Sequence, residues 1–374
     1  MVSRKTAWVV GLTGIVITAV CCGVAIRNVW KSIPGYEERT SRIPFVSGEE
    51  EEFILEKQGL IIDKDPEIYT YENMEHDFIC LAEKYPDQVS CITLAETTDR
   101  RNVYCLVIGD SQAEKSILVS GGIHGREYIS CQLVMKQAVS FLRHLEAGDH
   151  YGTCTYEQLL ENTNVYCIPM INPDGVSISQ KGMDGIQTES VKEQIRIIAE
   201  MDGQQPEGRY LELWKANANG VDLNRNFPAL WEEYQEPVEH PSADHYKGTA
   251  PGSEAESAAL IRLTEEKHFL RTVSYHAQGS EIYWYFGQQG ELYEENLKFG
   301  QMISRLTGYS MDADISGLDP AGYKDWAVSV MGIPSLTIEI GRDITPVPME
   351  QWEEIWLRNA FVWEEILCDL SSKP

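Results

Sequence analysis

Positive charge is scarce in this 374-residue chain: 31 Lys and Arg stand against 58 Asp and Glu, a formal net charge of −27. That balance would repel a phosphate backbone, so nucleic acid is excluded as a partner. No C-x-x-C pair occurs among the nine cysteines, and they are not densely spaced, so a disulfide scaffold is not indicated. Seven of them lie beyond residue 26; this odd number leaves at least one thiol unpaired, and one or two bridges remain open outside the cytoplasm. Internal repeats and long low-complexity tracts are missing too. What is present is 43% hydrophobic and 10% aromatic residues, the makings of a sizeable core. The length suits one large catalytic domain or two ordinary ones.

Residues 6–26, "TAWVVGLTGIVITAVCCGVAI", run uncharged for 21 positions. At about 1.5 Å per residue this spans a hydrocarbon core, so residues 1–30 are expected to form an N-terminal transmembrane helix. Arg4 and Lys5 precede the run and Arg27 and Lys31 follow it, which divides the orientation signal. The reading taken is an uncleaved single-pass anchor in the cell membrane with an extracytoplasmic domain. Secretion after cleavage is the alternative, although the run is long for a signal core and lacks a clear small-x-small site. A lipoprotein reading through Cys21 or Cys22 is disfavoured, because Val20 or Cys21 fills the position that demands a small residue. Residues 31–66 read as an acidic linker, and residues 67–374 as the catalytic domain.

From residue 67 the pattern is regular. "YENMEHDFICLAEKYPD" (71–87) has helical spacing and stops at Pro86; "RNVYCLVIGD" and "KSILVSGG" are β-rich and end in turn residues. "EYISCQLVMKQAVSFLRHLEAGD" (127–149) predicts a helix with Ile129, Leu133, Val134, Phe141, Leu142 and Leu145 on one face, closed by Gly148. "NVYCIPMINPDG", "RTVSYHAQGSEIYW" and "IPSLTIEIG" supply further strands, with a helix over "GELYEENLKFGQMISRLTG". "SEAESAALIRLTEEKHFL" predicts a helix opened by a capping box of Ser253 and Glu256. "QWEEIWLRNAFVWEEILCDL" predicts a single last helix with Trp352, Ile355, Trp356, Trp363, Ile366 and Leu367 on one side. Alternating strands and helices indicate an α/β domain whose site gathers in loops at strand ends.

Catalytic zinc needs about three protein ligands and an open fourth position. His124 and Glu127 of "VSGGIHGREYIS" are three apart at a strand's end, so two ligands can come from one turn. The pattern is not H-E-x-x-H, which makes this glutamate a ligand rather than a base. His276 of "SYHAQG" can supply a third ligand. Glu339 lies in the apolar run "SLTIEIG", where a carboxylate costs several kcal/mol unless paired or employed. A core histidine and a buried salt bridge with Arg342 are the plainer readings of the last two.

The motif order resembles the carboxypeptidase A-type zinc carboxypeptidase family across roughly residues 67–370. The resemblance rests on "HGRE", "GVDLNRNF" (220–227), "YKGTAPGSEAE" (246–256), "SYHAQG" and "GYKDWAVSVMGIPSLTIEIG" (322–341). It implies a mixed, mostly parallel eight-stranded sheet flanked by helices, and one bound zinc ion. It makes His124, Glu127 and His276 the metal ligands and Glu339 the general base. Asp222 would hold the His124 imidazole, Asn224 and Arg225 would clamp a substrate's terminal carboxylate, and Arg126 would line the groove. The reaction implied is amide hydrolysis.

Two departures stand out. Lys215 follows Trp214 where the family usually carries its oxyanion-stabilising arginine; it can act as a point charge, or the cation lies elsewhere. Counting nine residues back from Trp326 reaches Gly317, so the family's mobile tyrosine is missing, and Tyr323 is read as structural. Within the family, "WKANANGVDLN", "SYHAQGSEIYW" and "GYKDW" resemble the bacterial γ-D-glutamyl–diaminopimelate peptidases. Lys324, two before Trp326, stands where the side-chain pocket is set and suits a P1′ side chain bearing a carboxylate. The implied substrate is a murein stem peptide cut in carboxypeptidase mode. A general carboxypeptidase and a catalytically silent peptide-binding ectodomain are the rival readings.

Overall fold

The computed structural model describes residues 59–110, 112–312 and 319–371; the apolar run at 6–26, the spacer up to residue 58 and Gly317 lie outside them. Among the described residues ten strands run in chain order: β1 Val89–Glu96, β2 Asn102–Ile108, β3 Lys115–Ser120, β4 His150–Tyr151, β5 Cys154–Thr155, β6 Thr163–Ile168, β7 Arg271–His276, β8 Glu281–Tyr283, β9 Ser310–Met311 and β10 Ser335–Glu339. Eight form one mixed sheet in the order β1-β2-β6-β3-β7-β10-β8-β9, while β4 and β5 make a separate hairpin. The central run β6-β3-β7-β10 is parallel; β1, β2 and β8 join antiparallel, and β8 pairs parallel with β9. The central strands are buried on both faces, which is why their sequences read as continuous apolar runs.

The longer helices are α1 Tyr71–Lys84, α2 Ile129–Ala147, α3 Pro173–Lys181, α4 Glu189–Met201, α5 Ala255–Lys267, α6 Gly290–Thr307, α7 Tyr323–Ser329, α8 Trp352–Asn359 and α9 Val362–Ser371. Helix α2 buries Ile129, Leu133, Val134, Phe141 and Leu142 and ends on Gly148 in the left-handed conformation. Its Gln137 reaches Tyr275 of β7 at 2.9 Å and accepts from Trp363 of α9 at 3.0 Å, tying both helices to one face. On the other face Leu260 and Leu263 of α5 and Tyr323 and Trp326 of α7 join Leu118, Tyr166 and Phe227 in one core cluster. A smaller cluster gathers Ile178, Ile195, Ile198, Leu211 and Trp214, and it anchors the segment that carries Lys215.

Three local expectations are corrected. Helix α5 begins at Ala255 with Glu254 as its N-cap and no side-chain cap, so Ser253 and Glu256 form no capping box. Asn226 is the competitor: its Oδ1 accepts from Glu254 N at 3.3 Å and from Ser257 Oγ at 2.5 Å, and Glu256 turns inward. The expected single last helix is two, α8 and α9. The Gln137 amide takes the Asn359 carbonyl at 2.7 Å, an acceptor that an unbroken helix would use internally. Residues 59–66, grouped with the linker in the sequence, lie against the domain: Ile62 is fully buried and the Asp77 carboxylate accepts from Ile61 N and Ile62 N at 2.6 and 2.9 Å. Among the described residues no helix is long and apolar enough to cross a membrane.

Candidate metal centre

Strands β3, β7 and β10 are parallel neighbours, so their carboxyl ends lie side by side. His276 ends β7 and Glu339 ends β10, directly opposite each other in register. After β3 the chain turns through Gly121 and Gly122 into the single 3-10 turn Gly125–Glu127, which presents His124 and Glu127. Gly125 has to be glycine there, because a Cβ would sit 2.4 Å from the Gly175 carbonyl oxygen and 2.6 Å from that of Trp214. This close approach lets Gly125 N donate to the Lys215 carbonyl at 3.0 Å, locking the ligand turn to the Lys215 segment.

The three expected ligands converge. His124 Nδ1 lies 2.8 Å from Glu127 Oε1, and His276 Nδ1 lies 3.1 Å from Glu127 Oε2. Their ligand atoms all fall within 4.8 Å of one another, and all three residues are buried. Two imidazole nitrogens and one carboxylate form the donor set of a catalytic zinc site with a position left open, so these residues fit the ion. Burial opposes ionisation of Glu127, but His124 and His276 outweigh it and hold the carboxyl well below the usual range. Ala277 N adds a hydrogen bond to Glu127 Oε2 at 3.2 Å.

Asp222 is where the resemblance places it. Its Oδ1 is 3.1 Å from His124 Nε2, and a proton held on Nε2 leaves Nδ1 free to bind a metal. Its Oδ2 pairs with Lys215 Nζ at 2.9 Å. Lys215 also pairs with Asp244 at 3.2 Å, and Arg126 meets the same Asp244 at 3.1 Å. Lys215 is therefore a buried, compensated cation and not a solvated one. Burial pulls its pKa down, yet Asp222 and Asp244 more than offset this and keep it charged. Asp222, Asp244 and His245 also cluster, but Lys215 bridges both carboxylates and Arg126 adds a second cation at Asp244.

Glu339 is half-buried as a residue, yet its Oε2 is fully covered and has no hydrogen-bond partner. Burial first, and then the Glu127 carboxylate, push its pKa up to about 8. An orphaned carboxylate oxygen beside a ligand cluster is costly unless something in the site uses it.

Arg225 and Asn224 sit on the next turn. Asn224 Oδ1 accepts from Tyr323 N at 3.0 Å, which ties this turn to the start of α7. The Arg225 guanidinium donates through Nη1 to the Asn224 carbonyl at 2.8 Å and through Nη2 to Asp319, with Tyr234 stacked 5.2 Å from its carbon. Lys324 is half-buried rather than solvent-facing: its amine donates to the Tyr285 carbonyl at 3.0 Å and to Asp325 at 2.5 Å. Tyr323 is structural, buried with its hydroxyl 3.0 Å from Thr264 Oγ1. Nothing in the sequence marks Asp244, Tyr234 or Asp319. They are lone loop residues with no periodicity, brought to the site only by tertiary contacts.

Residues 74–361 match the family described as zinc carboxypeptidase. A Bacillus subtilis protein, "uncharacterized protein YqgT", is 28% identical over 345 residues, covering 89% of this chain and 88% of its own. The "gamma-D-glutamyl-L-diamino acid endopeptidase 1" of Lysinibacillus sphaericus is 29% identical over 289 residues, or 77% of this chain and 69% of that one. The fold is shared with bovine thrombin-activatable fibrinolysis inhibitor, solved with tick carboxypeptidase inhibitor: TM-score 0.62, 19% identity, 81% of this chain and 97% of the other. Carboxypeptidase A from Helicoverpa armigera has a TM-score of 0.58 at 18% identity, covering 86% and 80%.

Proposed function

This chain belongs to the zinc carboxypeptidase family and is a metallopeptidase of that family; from that membership we propose that it hydrolyses the γ-D-glutamyl–diaminopimelate bond of cell-wall stem peptides. The observation that carries the chemistry is the convergence of His124, Glu127 and His276 beside the orphaned oxygen of Glu339. The Lysinibacillus relative, whose name specifies a γ-D-glutamyl–diamino acid bond, supports the substrate class.

His124, Glu127 and His276 would hold a zinc ion, which when bound would supply Lewis-acid polarisation and a lowered pKa for water. Once a bound cation offsets the burial and the Glu127 repulsion that raise its pKa, Glu339 takes a proton from the attacking water on its carboxylate and returns it to the departing amine. Asp222 fixes the His124 tautomer. Lys215 supplies the cation facing the oxyanion, using an N–H left over from its two carboxylate pairs. Asn224 and Arg225 receive the substrate's terminal carboxylate, with Arg126 along the groove, which makes the mode that of a carboxypeptidase on a tripeptide stem. Lys324 has one N–H beyond its bonds to Tyr285 and Asp325 for the side-chain carboxylate of diaminopimelate.

Such a substrate lies outside the cytoplasm, and we assign the domain there, held by residues 6–26. Fractionation and protease accessibility of the full chain test that placement. For the activity, zinc-loaded protein is offered a γ-D-Glu–diaminopimelate tripeptide and an ordinary α-linked peptide. Release of diaminopimelate from the first supports the proposal. Cleavage of the α-linked peptide alone makes the protein a general carboxypeptidase, and zinc binding without cleavage of either makes it a silent binding module.

A further inference from the structure

The Arg225 guanidinium is nearly enclosed, with its side chain 12% exposed, whereas the Asp319 carboxylate that binds it is 71% exposed. The two ends of this ion pair are thus unequal. A buried guanidinium without an anion is strongly disfavoured, while an exposed carboxylate is readily rehydrated. The surroundings hold the arginine still. Tyr234 lies against its face, Nη1 is fixed on the Asn224 carbonyl, and Nε is buried without a partner. Asp319 engages only Nη2, a single-point contact that leaves the planar fork of the arginine unfilled.

We propose that Asp319 is a specificity-determining residue: a carboxylate of the chain itself that occupies Arg225 where a substrate's terminal carboxylate would bind, and so admits peptides that are capped or continue past the cut. The inference rests on Arg225 being the carboxylate clamp of the proposed peptidase. A substrate with a free terminal carboxylate has to displace Asp319, and its apparent affinity falls by the fraction of time that Arg225 is already engaged. A substrate lacking that carboxylate leaves the pair intact and meets no charge in want of a partner. Asp319 therefore narrows the advantage that the clamp gives to free termini.

The test compares Asp319→Asn with the parent chain, both zinc-loaded, on matched peptides ending in a free acid or an amide. One pair carries the γ-D-Glu–diaminopimelate bond and one an α-linked bond. The ratio of kcat/KM for free acid over amide is expected to rise about tenfold in Asp319→Asn, through KM and not kcat, as release from a site that is roughly nine-tenths engaged predicts. Glu265→Gln, an exposed carboxylate change on α5, leaves the ratio unmoved. Calorimetric titration of the same peptides into Glu339→Gln and Glu339→Gln/Asp319→Asn reads binding without turnover, so the result does not depend on the catalytic assignment. An unchanged ratio in both kinetics and binding overturns the role of Asp319 while leaving the peptidase reading intact. Cleavage or binding of only the α-linked pair removes the cell-wall substrate and still reads the ratio. Failure of all four peptides to bind overturns both.

Discussion

Glu339 lies opposite His276 in the parallel register of β10 and β7, so the expected base and one expected metal ligand are held by the same backbone ladder. Their spacing is set by the sheet and not by a loop. Gly279 permits this arrangement from the far side, where a Cβ would come within 3.1 Å of the Glu339 Cβ.

Glu339→Gln is expected to keep bound zinc and lower kcat by about a thousandfold, since it preserves shape while removing the proton acceptor. Zinc by mass spectrometry and single-turnover hydrolysis check this. Undiminished turnover assigns the base elsewhere.

Asp222→Asn should weaken zinc binding by about 10–100-fold, because the amide no longer holds His124 as an acceptor facing the metal. Competition with a chromogenic chelator measures it. An unchanged affinity would show that the Asp222 contact leaves the ligand's basicity untouched.

Lys215→Met strips the shared cation from Asp222 and Asp244. Breaking a buried pair in this way is expected to cost about 3–5 kcal/mol in urea unfolding. A loss within the range of ordinary surface changes would place Lys215 in contact with water in solution.

Stability should fall as pH rises from about 5 to 8. Glu256 is buried beside Asn217; burial, then Asp174, push its pKa up to about 8 from an ordinary 4.5. Between those values the folded chain binds a proton that the unfolded chain has released, so unfolding becomes easier with each rise in pH, and the effect levels off above 8. Glu364, raised by burial to about 7, acts in the same direction. Glu256→Gln flattens the slope, which urea titrations at pH 5.5 and 8 resolve; equal slopes in variant and parent would refute the assignment.

Cys154 of β5 and Cys368 of α9 place their sulfurs 4.0 Å apart. Oxidised glutathione should close them by exchange: one thiolate takes up a glutathione sulfur, the second displaces it, and two glutathione thiols leave. Peptide mapping should find the 154–368 link, with about 2–4 kcal/mol of added stability. Recovery of both thiols alkylated after such treatment excludes it.

The candidate metal centre is legible because each contributor ends or follows a strongly apolar strand, where a histidine or carboxylate stands out against its neighbours. Helices α1, α2 and α6 were legible from apolar spacing and from their terminal residues. Strand β1 was not: its side chains are half-buried and its pairing with β2 shifts register between Thr93 and Ala95, which blurs any alternation. Helix α4 carries Val191, Ile195 and Ile198 at helical spacing. The failed capping box and the divided last helix share one cause, a distant amide (Asn226 or Gln137) claiming a backbone group that local rules assign to the helix. The contacts of Asp244, Tyr234 and Asp319 are equally non-local.

The order in which the ribosome delivers these strands has its own consequence. His124 and Glu127 emerge early, His276 much later, and Glu339 almost last, after which the chain still has to insert β10 between β7 and β8. On the proposed assignment, a nascent product that has not yet delivered β10 lacks the proposed base and does not hydrolyse peptides while it is being made.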